Sequence, residues 1–400
     1  MPPVVGGVAA PPVVTAERHG DDGAPSVLFY GHYDVQPAEE SDGWTSPPFE
    51  PTVRGDRVFC RGAQDDKGQF FAFLCGMRDW LEAPSERPRP TVKIVLEGQE
   101  ESGSGALISL LGGLRRSLAA DVLLACDTEA GEGLRPAIVA GMRGVSHFSL
   151  RLTCASRELH SGSYGGVAPN AAQAMAALVA TLHAEDGSVA VAGFSDGAEP
   201  PSEEELRLAE SVAPSAAGIE KEIGCVPAGG RRKASIAMRR SFEPTIELNG
   251  IHSGYGGPGA KTVIPCEAVA KLSMRFVPGQ SPARAMESVR RHLEERVPEG
   301  ARLEFTECSA GAAGFRLPLA SPLFRLAQDV LTEMDPRGPA FTWDGASIPA
   351  VSAVAAASGA APLIVGWGLP EDRIHSPDES YSFKQFDKAR EWGCRILAAI

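Results

Sequence analysis

Long apolar runs and paired cysteines are both missing from this sequence of 400 residues. No stretch reaches the roughly 18 consecutive apolar residues that a membrane-spanning helix needs. The first residues also lack the basic region and the continuous apolar run of a secretory signal. The eight cysteines stand singly, without the close spacing of a zinc-finger or redox pair. We therefore expect reduced thiols and a cytoplasmic location.

Positive charge is also scarce, since 38 Lys and Arg face 51 Asp and Glu and the formal net charge is -13. Such a surface repels phosphate backbones and anionic lipids, which excludes nucleic acids and membranes as expected partners and favours a small molecule. One cluster, RRKASIAMRR at 231–240, is strongly basic. Because the chain as a whole is acidic, we interpret this cluster as a solvated face of a smaller domain.

The apolar segments that are present predict an α/β sheet. Two domains are expected for this length, because a single domain commonly holds about 100 to 200 residues. The runs at 26–31, 91–98 and 120–127 have almost no polar alternation, which is typical of strands covered on both faces. Segments 67–83 and 103–119, between them, predict helices. Strands that alternate with helices indicate a mainly parallel sheet.

The middle of the chain has a different pattern. Segments 144–154 and 268–278 alternate polar and apolar residues as half-exposed strands do, while 170–184 and 281–297 predict helices. This pattern predicts a smaller α+β, ferredoxin-like domain. Since 321–331 and 361–368 return to a helix and a buried strand, we expect a discontinuous first domain over 1–142 and 316–400, and an inserted domain over 143–315.

Histidines and carboxylates follow the predicted strands closely, and two more carboxylates, Asp65 and Asp66, stand just before the predicted helix at 67–83. In an open α/β sheet, ligands bind outside the carboxyl ends of the strands. Each residue alone has a structural explanation, such as a helix N-cap, a turn residue or a hydrogen-bonded core histidine. Their convergence from five segments on one sheet edge instead predicts a metal site. The residues concerned are His32, Asp34, Asp65, Asp66, Glu100, Glu101, Asp127 and His375.

Carboxylates and imidazoles without thiolates suit a catalytic pair of zinc, cobalt or manganese ions better than a structural zinc site. Two such ions, roughly 3.5 to 4 Å apart, need a bridging ligand and a free carboxylate that takes a proton from water. Glu100 and Glu101 together offer one ligand and one base, because successive residues at a strand end point in different directions.

Seven motifs in order between residues 28 and 379 carry a family resemblance. They are GHYDVQP, RGAQDDKGQ, EGQEESGS, CDTE, RELHSGSYGG, GPGAKTVIP and RIHSPDES. The chain resembles the M20 family of di-zinc peptidases, in the branch of cytosolic non-specific dipeptidases and carnosinase-like enzymes. The resemblance implies a catalytic domain with a mainly parallel sheet and an inserted lid and dimerisation domain.

The resemblance also implies a role for each residue of the site. His32 and Asp127 would hold one metal, Glu101 and His375 the other, and Asp65 would bridge them. Glu100 would be the general base, and Asp34 would orient His32 by accepting its second ring N–H. The metals are expected to be two zinc ions, with manganese or cobalt as alternatives. The peptide bond from Asp65 to Asp66 is expected to be cis.

Four residues match substrate contacts of the family, three in the middle domain and Ser347 in the C-terminal part of the first domain. His160 would reach the active site of the partner subunit in a homodimer and stabilise the oxyanion. Arg275 would bind the substrate carboxylate, as suits a planar guanidinium. Thr262 and Ser347 match weaker substrate contacts, and a structural role explains both equally well.

Two features depart from the family pattern. The last motif has Asp378-Glu379, where relatives usually have Asn-Glu, so contacts around His375 are expected to differ. Relatives also carry a helical segment upstream of the first motif. We expect either an exposed apolar patch with a lower stability or a shortened reading frame.

The expected function is metal-dependent hydrolysis of dipeptides or short peptides, with Glu100 as the base. One alternative keeps the same site for deacylation or desuccinylation of N-acyl amino acids. A second alternative is a non-catalytic protein that binds metal or peptide.

Overall fold

In the computed structural model, which describes residues 4–5, 8–85 and 87–400, the chain divides into two compact units. The first contains the chain up to Ala140 together with Arg316–Thr342 and Ile348–Ile400. The second contains Gly141–Phe315 and the short segment Trp343–Ser347. This short segment falls within 316–400, the stretch that the sequence pattern assigns to the first domain.

Trp343–Ser347 is held to the second unit by named contacts. The Trp343 ring lies 5.6 Å from that of Phe242, and its carbonyl accepts a hydrogen bond from the Ser241 hydroxyl over 2.6 Å. The Arg143 N–H donates to the Asp344 carbonyl over 3.1 Å. These contacts join residues far apart in sequence, which is why the local pattern does not indicate them.

The first unit is built on an eight-stranded sheet. Its central strands, Ala361–Gly366, Val122–Ala125, Ser26–His32 and Thr91–Glu97, are adjacent in that order and parallel. Val14–Arg18 pairs antiparallel with Thr91–Glu97 at one edge, and Ala137–Met142 pairs antiparallel with Ala361–Gly366 towards the other. Phe315–Arg316 and Ala340–Asp344 both pair with Ala137–Met142. The predicted α/β class with a mainly parallel sheet is confirmed.

Helices cover this sheet because their apolar residues recur at helical spacing. Lys67–Glu82 packs against Phe383–Ala399, and Gly105–Leu118 packs against Pro349–Ser358. The Phe29 ring of the central strand stacks on Phe73, with centroids 3.8 Å apart. The remaining regular elements of this unit are the helix Pro322–Met334, the 3-10 turns Glu40–Asp42, Glu100–Ser102, Glu132–Leu134 and Pro370–Asp372, a small sheet of Ser380–Ser382, Arg57–Phe59 and Thr52–Arg54, and the strand pair Val4–Val5 and Val8–Ala9.

The second unit has a four-stranded antiparallel sheet in the order Thr245–Ser253, Glu267–Phe276, Gly144–Thr153 and Arg302–Thr306. Apolar side chains of the helices Ala171–Ala180 and Pro282–Glu294 share one core with this sheet. Further elements are the strand pair Leu159–His160 and Val263–Ile264, the helices Ser161–Tyr164, Glu203–Val212 and Ala216–Ile223, and a π-helical turn at Met238–Phe242.

No helix among the described residues is both long and apolar enough to cross a bilayer. The first residues, whose sequence predicts no secretory signal, lie partly outside the described part of the chain.

Candidate active site

The parallel strands deliver the candidate side chains to one sheet edge. His32 is the last residue of the strand Ser26–His32, and Asp127 follows Val122–Ala125 by two residues. Glu100 and Glu101 begin the 3-10 turn after Thr91–Glu97. Because the carboxyl ends of parallel strands meet at the same edge, these residues lie together.

Gly31, just before His32, lets the helix that starts at Lys67 approach this edge. A Cβ at Gly31 would lie 2.9 Å from the Cβ of Phe70 and 3.1 Å from Oδ2 of Asp66. The same Asp66 oxygen accepts the backbone N–H of His32 over 3.2 Å. The strand end and the helix start are therefore tied together beside the site.

Three side chains form a first triad that could hold a metal ion. One ligand atom each from His32, Asp65 and Asp127 lies within 4.8 Å of the others. Nε2 of His32 is 3.0 Å from Oδ1 of Asp65 and 3.7 Å from Oδ2 of Asp127. Within the described ranges this buried nitrogen has no aligned hydrogen-bond partner, so it is available to bind a cation.

A second triad shares Asp65 with the first. It consists of Asp65, Glu101 and His375, again with ligand atoms within 4.8 Å. Nε2 of His375 lies 2.8 Å from Oδ2 of Asp65 and 3.4 Å from Oε2 of Glu101. Asp65 thus directs one carboxylate oxygen at each triad, as a bridging ligand does.

The Asp34 carboxylate contacts a member of each triad, the ring of His32 in the first and the backbone of Glu101 in the second. Its Oδ1 lies 3.3 Å from Nδ1 of His32, which leaves Nε2 facing the site. The same carboxylate accepts the backbone N–H groups of Glu100 and Glu101, each over 3.1 Å. A carboxylate on the second ring nitrogen is the usual partner of a metal-binding histidine, because it fixes the tautomer.

Electrostatics of the cluster favour cations. Burial, with the charges of Asp65 and Glu101, raises the pKa of Asp127 to about 7. Hydrogen bonds to Asp65 and Glu101 raise the pKa of His375 to about 10. Burial lowers the pKa of His32, but the carboxylates of Asp34 and Asp65 outweigh it and raise that pKa.

The raised pKa values of His32 and His375 mean that the neighbouring carboxylates favour protonation of both imidazoles. Divalent cations replace such protons when they bind, since imidazole must be neutral to act as a ligand. The donor set of two imidazoles and three carboxylates, with no thiolate, fits zinc, manganese or cobalt. The residues present thus fit a pair of divalent metals.

Glu100 belongs to neither triad, but it interacts electrostatically with Asp127 and His32 of the first and with Glu101 of the second. Its backbone is fixed by Asp34, while its carboxylate has no hydrogen-bond partner among the residues that the structure describes. Burial, followed by the charge of Asp127, raises its pKa to about 8. The peptide bond from Asp65 to Asp66 is cis, which confirms that expectation.

Two residues near the site, Gln36 and Glu379, have no role assigned from the sequence. The Gln36 amide donates to Oε2 of Glu101 over 2.7 Å, and Glu379 accepts hydrogen bonds from the loop that ends at Asp65. Both stand inside recognisable motifs, GHYDVQP and RIHSPDES, and that position was the available signal.

The predicted substrate residues belong to the second unit and form two local groups. Nη1 of Arg275 donates to the Ser347 hydroxyl over 2.9 Å, and that hydroxyl donates to the Arg143 carbonyl. His160 pairs with Val263 in the short strand pair, and the Thr262 carbonyl accepts the Ser161 N–H over 3.1 Å. The His160 ring is exposed, and its Nδ1 accepts the Gly162 N–H over 3.0 Å.

The sheet and the donor set of its carboxyl edge are those of a metallopeptidase. The profile of Peptidase family M20/M25/M40 matches residues 28–399, and the chain belongs to this family. The family expected from the sequence motifs is thereby confirmed.

Individual relatives are similar over large parts of the chain. Beta-Ala-His dipeptidase of Rattus norvegicus is 32% identical over 71% of this chain, which spans 58% of the rat protein. Cys-Gly metallodipeptidase of Schizosaccharomyces pombe is 27% identical over 98% of this chain and 83% of its own length. The structure of an M20 family metallo-carboxypeptidase from Sulfolobus solfataricus matches with a TM-score of 0.84 and 26% identity, covering 97% of this chain and 87% of that one.

Proposed function

We propose that this chain is a di-metal dipeptidase that hydrolyses the peptide bond of dipeptides or short peptides. The observation that carries the proposal is Asp65, whose two carboxylate oxygens face two different triads. The names of the rat and fission-yeast relatives, a Beta-Ala-His and a Cys-Gly dipeptidase, support the substrate class.

In this proposal His32 and Asp127 would hold one metal, Glu101 and His375 would hold the other, and Asp65 would be their common ligand. Two such metals, which we expect to be zinc, would supply polarisation of the scissile carbonyl and a lowered pKa of water. Asp34 keeps Nε2 of His32 directed at its site and fixes the backbone that carries both glutamates.

Glu100 is the general base. It takes the proton of the attacking water and delivers it to the leaving amine, so one carboxylate serves both halves of the hydrolysis. Its position supports this role, because it lies at the site without being a member of either triad. Asp34 holds its backbone N–H, which limits where the carboxylate can move.

Residues of the second unit bind the substrate. Arg275 pairs with the terminal carboxylate, for which a guanidinium provides two parallel donors. It is already held by the Ser347 hydroxyl, so part of its rotamer entropy is lost before the substrate binds. Thr262 makes a weaker contact. In this scheme the second unit acts as a lid and the first as the catalytic domain.

We further propose a homodimer formed through the second unit, in which His160 stabilises the oxyanion in the partner subunit's site. The edge strand Thr245–Ser253 supports a partner, because Leu248 and Ile251 are 43% and 42% exposed there. An edge strand with exposed apolar side chains is a surface that pairs readily with another chain.

The test is a substrate panel assayed with and without metal. Dipeptides, including β-Ala-His and Cys-Gly, are compared with N-acetyl and N-succinyl amino acids. We expect turnover of dipeptides that a chelator removes and added zinc restores. Turnover of the N-acyl compounds alone would indicate a deacylase. Two bound metals without hydrolysis anywhere in the panel would indicate a binding protein.

A further inference from the structure

A fully buried carboxylate lies directly behind the candidate metal site. Glu379 has 0% of its surface exposed and follows His375 by four residues. Its Oε2 accepts Nη1 of Arg61 over 2.7 Å and the N–H of Gly62 over 3.1 Å. Its Oε1 accepts the N–H of Gln64 over 3.0 Å and that of Asp65 over 3.2 Å. One side chain thus satisfies four donors.

All four donors come from the loop 61–65, and three of them are backbone groups. The loop ends at Asp65, the residue common to both triads. The Glu379 backbone adds a further tie, since its carbonyl accepts the Cys60 N–H over 3.1 Å. Glu379 therefore fastens the loop that carries Asp65 to the segment that carries His375 through both its side chain and its backbone.

The negative charge of Glu379 is compensated by the neighbouring guanidinium of Arg61. The Arg61 side chain is only 4% exposed, and its guanidinium also lies over the Trp44 ring, 5.2 Å from the centroid. A buried carboxylate is tolerated when it is paired and fully hydrogen-bonded. Both conditions hold for Glu379, so the carboxylate is a fixed acceptor.

We propose that Glu379 is a positioning residue that holds the Asp65 loop in its metal-binding geometry before any metal binds, and that it does so for both metals at once. The inference rests on the proposed function, because it concerns the same pair of metals. Glu379 itself does not face the site, and it acts through the backbone N–H of Asp65 and through the segment shared with His375.

Asp378 is a natural control, because it is adjacent in sequence and bonded elsewhere. Its carboxylate accepts the N–H of Thr45 over 3.0 Å, the Thr45 hydroxyl over 2.7 Å and the guanidinium of Arg54 over 3.3 Å. An asparagine keeps one acceptor for the Thr45 N–H and gains a donor for the Thr45 hydroxyl, so Asp378→Asn keeps these contacts.

The experiment titrates the metal-free protein with zinc and compares Glu379→Gln with Asp378→Asn. A glutamine at 379 supplies only one acceptor oxygen. Its NH₂ group would face two of the four donors, and it cannot accept a hydrogen bond from either. We expect Glu379→Gln to lower the affinity for both metals by about 10- to 100-fold, which is the usual effect of losing a group that hydrogen-bonds to a metal ligand. Asp378→Asn should bind as the wild type does. His375→Ala, which removes one ligand, should weaken one metal more than the other.

A purely structural role would lower the melting temperature without changing the metal site of the folded protein. Affinities are therefore measured on variants that circular dichroism shows to be folded, and the absorption spectrum of the cobalt-loaded protein is recorded beside them. We expect an altered cobalt spectrum for Glu379→Gln. An unchanged spectrum with unchanged affinities in a folded variant would overturn the proposal.

Two further measurements cover the case in which Glu379→Gln does not fold. Glu379→Asp keeps the charge but is shorter by one methylene, so it cannot reach all four donors, and we expect weaker binding of both metals. In the metal-free wild type, the amides of Gly62, Gln64 and Asp65 should be protected from hydrogen exchange. Exchange at the rate of an unstructured peptide would contradict the proposal.

The wild-type titration separates this inference from the proposed function. A wild type that takes up no pair of metals would refute the proposed function. A wild type that binds two metals, with a folded Glu379→Gln that binds them equally well, would refute the positioning role alone.

Discussion

Asp65 and His375 are 310 positions apart in the chain, and Oδ2 of Asp65 lies 2.8 Å from Nε2 of His375. The other oxygen of the same carboxylate lies 3.0 Å from Nε2 of His32. A single aspartate thus joins histidines from two distant segments. This relationship makes a pair of metals the simplest occupant of the site, because one shared carboxylate is what two adjacent cations require.

Removal of Asp65 should affect both metals together. We expect Asp65→Ala to lose both ions, since each triad loses its common member and the two imidazoles and two carboxylates that remain are no longer bridged. Elemental analysis after dialysis measures the number of metals per chain. His375→Ala is the matched control, because it leaves the triad of His32, Asp65 and Asp127 complete. Full metal content in Asp65→Ala would contradict the bridging role.

Replacement of Glu100 should separate chemistry from metal binding. Glu100→Gln keeps the shape of the side chain but cannot take a proton, so kcat should fall by about 100- to 10,000-fold, the usual contribution of a general base. The metal content should not change, because Glu100 belongs to neither triad. Turnover is measured beside elemental analysis. Wild-type turnover in a metal-loaded Glu100→Gln variant would contradict the assignment of Glu100 as the general base.

The cross-subunit role of His160 can be tested by mixing two inactive variants. Glu100→Gln and His160→Ala homodimers are each expected to be weakly active. A mixed dimer has one complete site, made of Glu100 from one chain and His160 from the other. After subunit exchange, activity should rise to about a quarter of the wild-type level, because half of the dimers are then mixed and each has one working site in two. No recovery, with exchange proven by mass spectrometry, would refute the shared site.

Arg275 should govern the affinity for a free terminal carboxylate. A hydrogen bond between charged groups contributes about 1.5 to 3 kcal/mol, so Arg275→Met should lower kcat/KM for dipeptides by about 10- to 100-fold. The same substitution should have little effect on dipeptide amides, which have no terminal carboxylate. Steady-state kinetics on both substrate series decide the point. An equal loss of kcat/KM for dipeptides and for dipeptide amides would mean that Arg275 maintains the structure and does not bind the carboxylate.

The stacked pair Phe29 and Phe73 should matter for stability and not for chemistry. Both rings are fully buried, and their centroids are 3.8 Å apart. Phe73→Ala should lower the free energy of unfolding by about 3 to 5 kcal/mol, because it leaves a cavity between the sheet and its helix. Phe49, which is 59% exposed, is the control, and Phe49→Ala should change stability by about 0.5 kcal/mol or less. Denaturant titration of the metal-free proteins measures both values.

The sequence predicts this fold well where strands are apolar and buried on both faces. Ser26–His32 and Thr91–Glu97 follow that pattern, and the candidate ligands could be found because they stand just after such strands. The edge strand Val14–Arg18 was not predicted. Its residues, VTAER, are mostly exposed and polar, so no core imposes a pattern on them.

The local sequence pattern also could not predict the residues that hold the site residues in place. Glu379 reaches the N–H of Asp65 across 314 positions, and only the fold shows that its partners are backbone donors. Ser347 reaches Arg275 across 72 positions in the same way. Candidate ligands such as His32 and Glu101 stand at or just after strand ends and can be predicted from them, whereas the groups that hold those side chains in place depend on tertiary contacts.

The central claim is that Asp65 bridges two metals, and anomalous diffraction from crystals grown with zinc tests it most directly. We expect two zinc peaks about 3.5 to 4 Å apart. Each should lie about 2.0 to 2.2 Å from a different oxygen of Asp65, with His32 and Asp127 at one and Glu101 and His375 at the other. A single peak, or two peaks that do not share Asp65, would contradict the account.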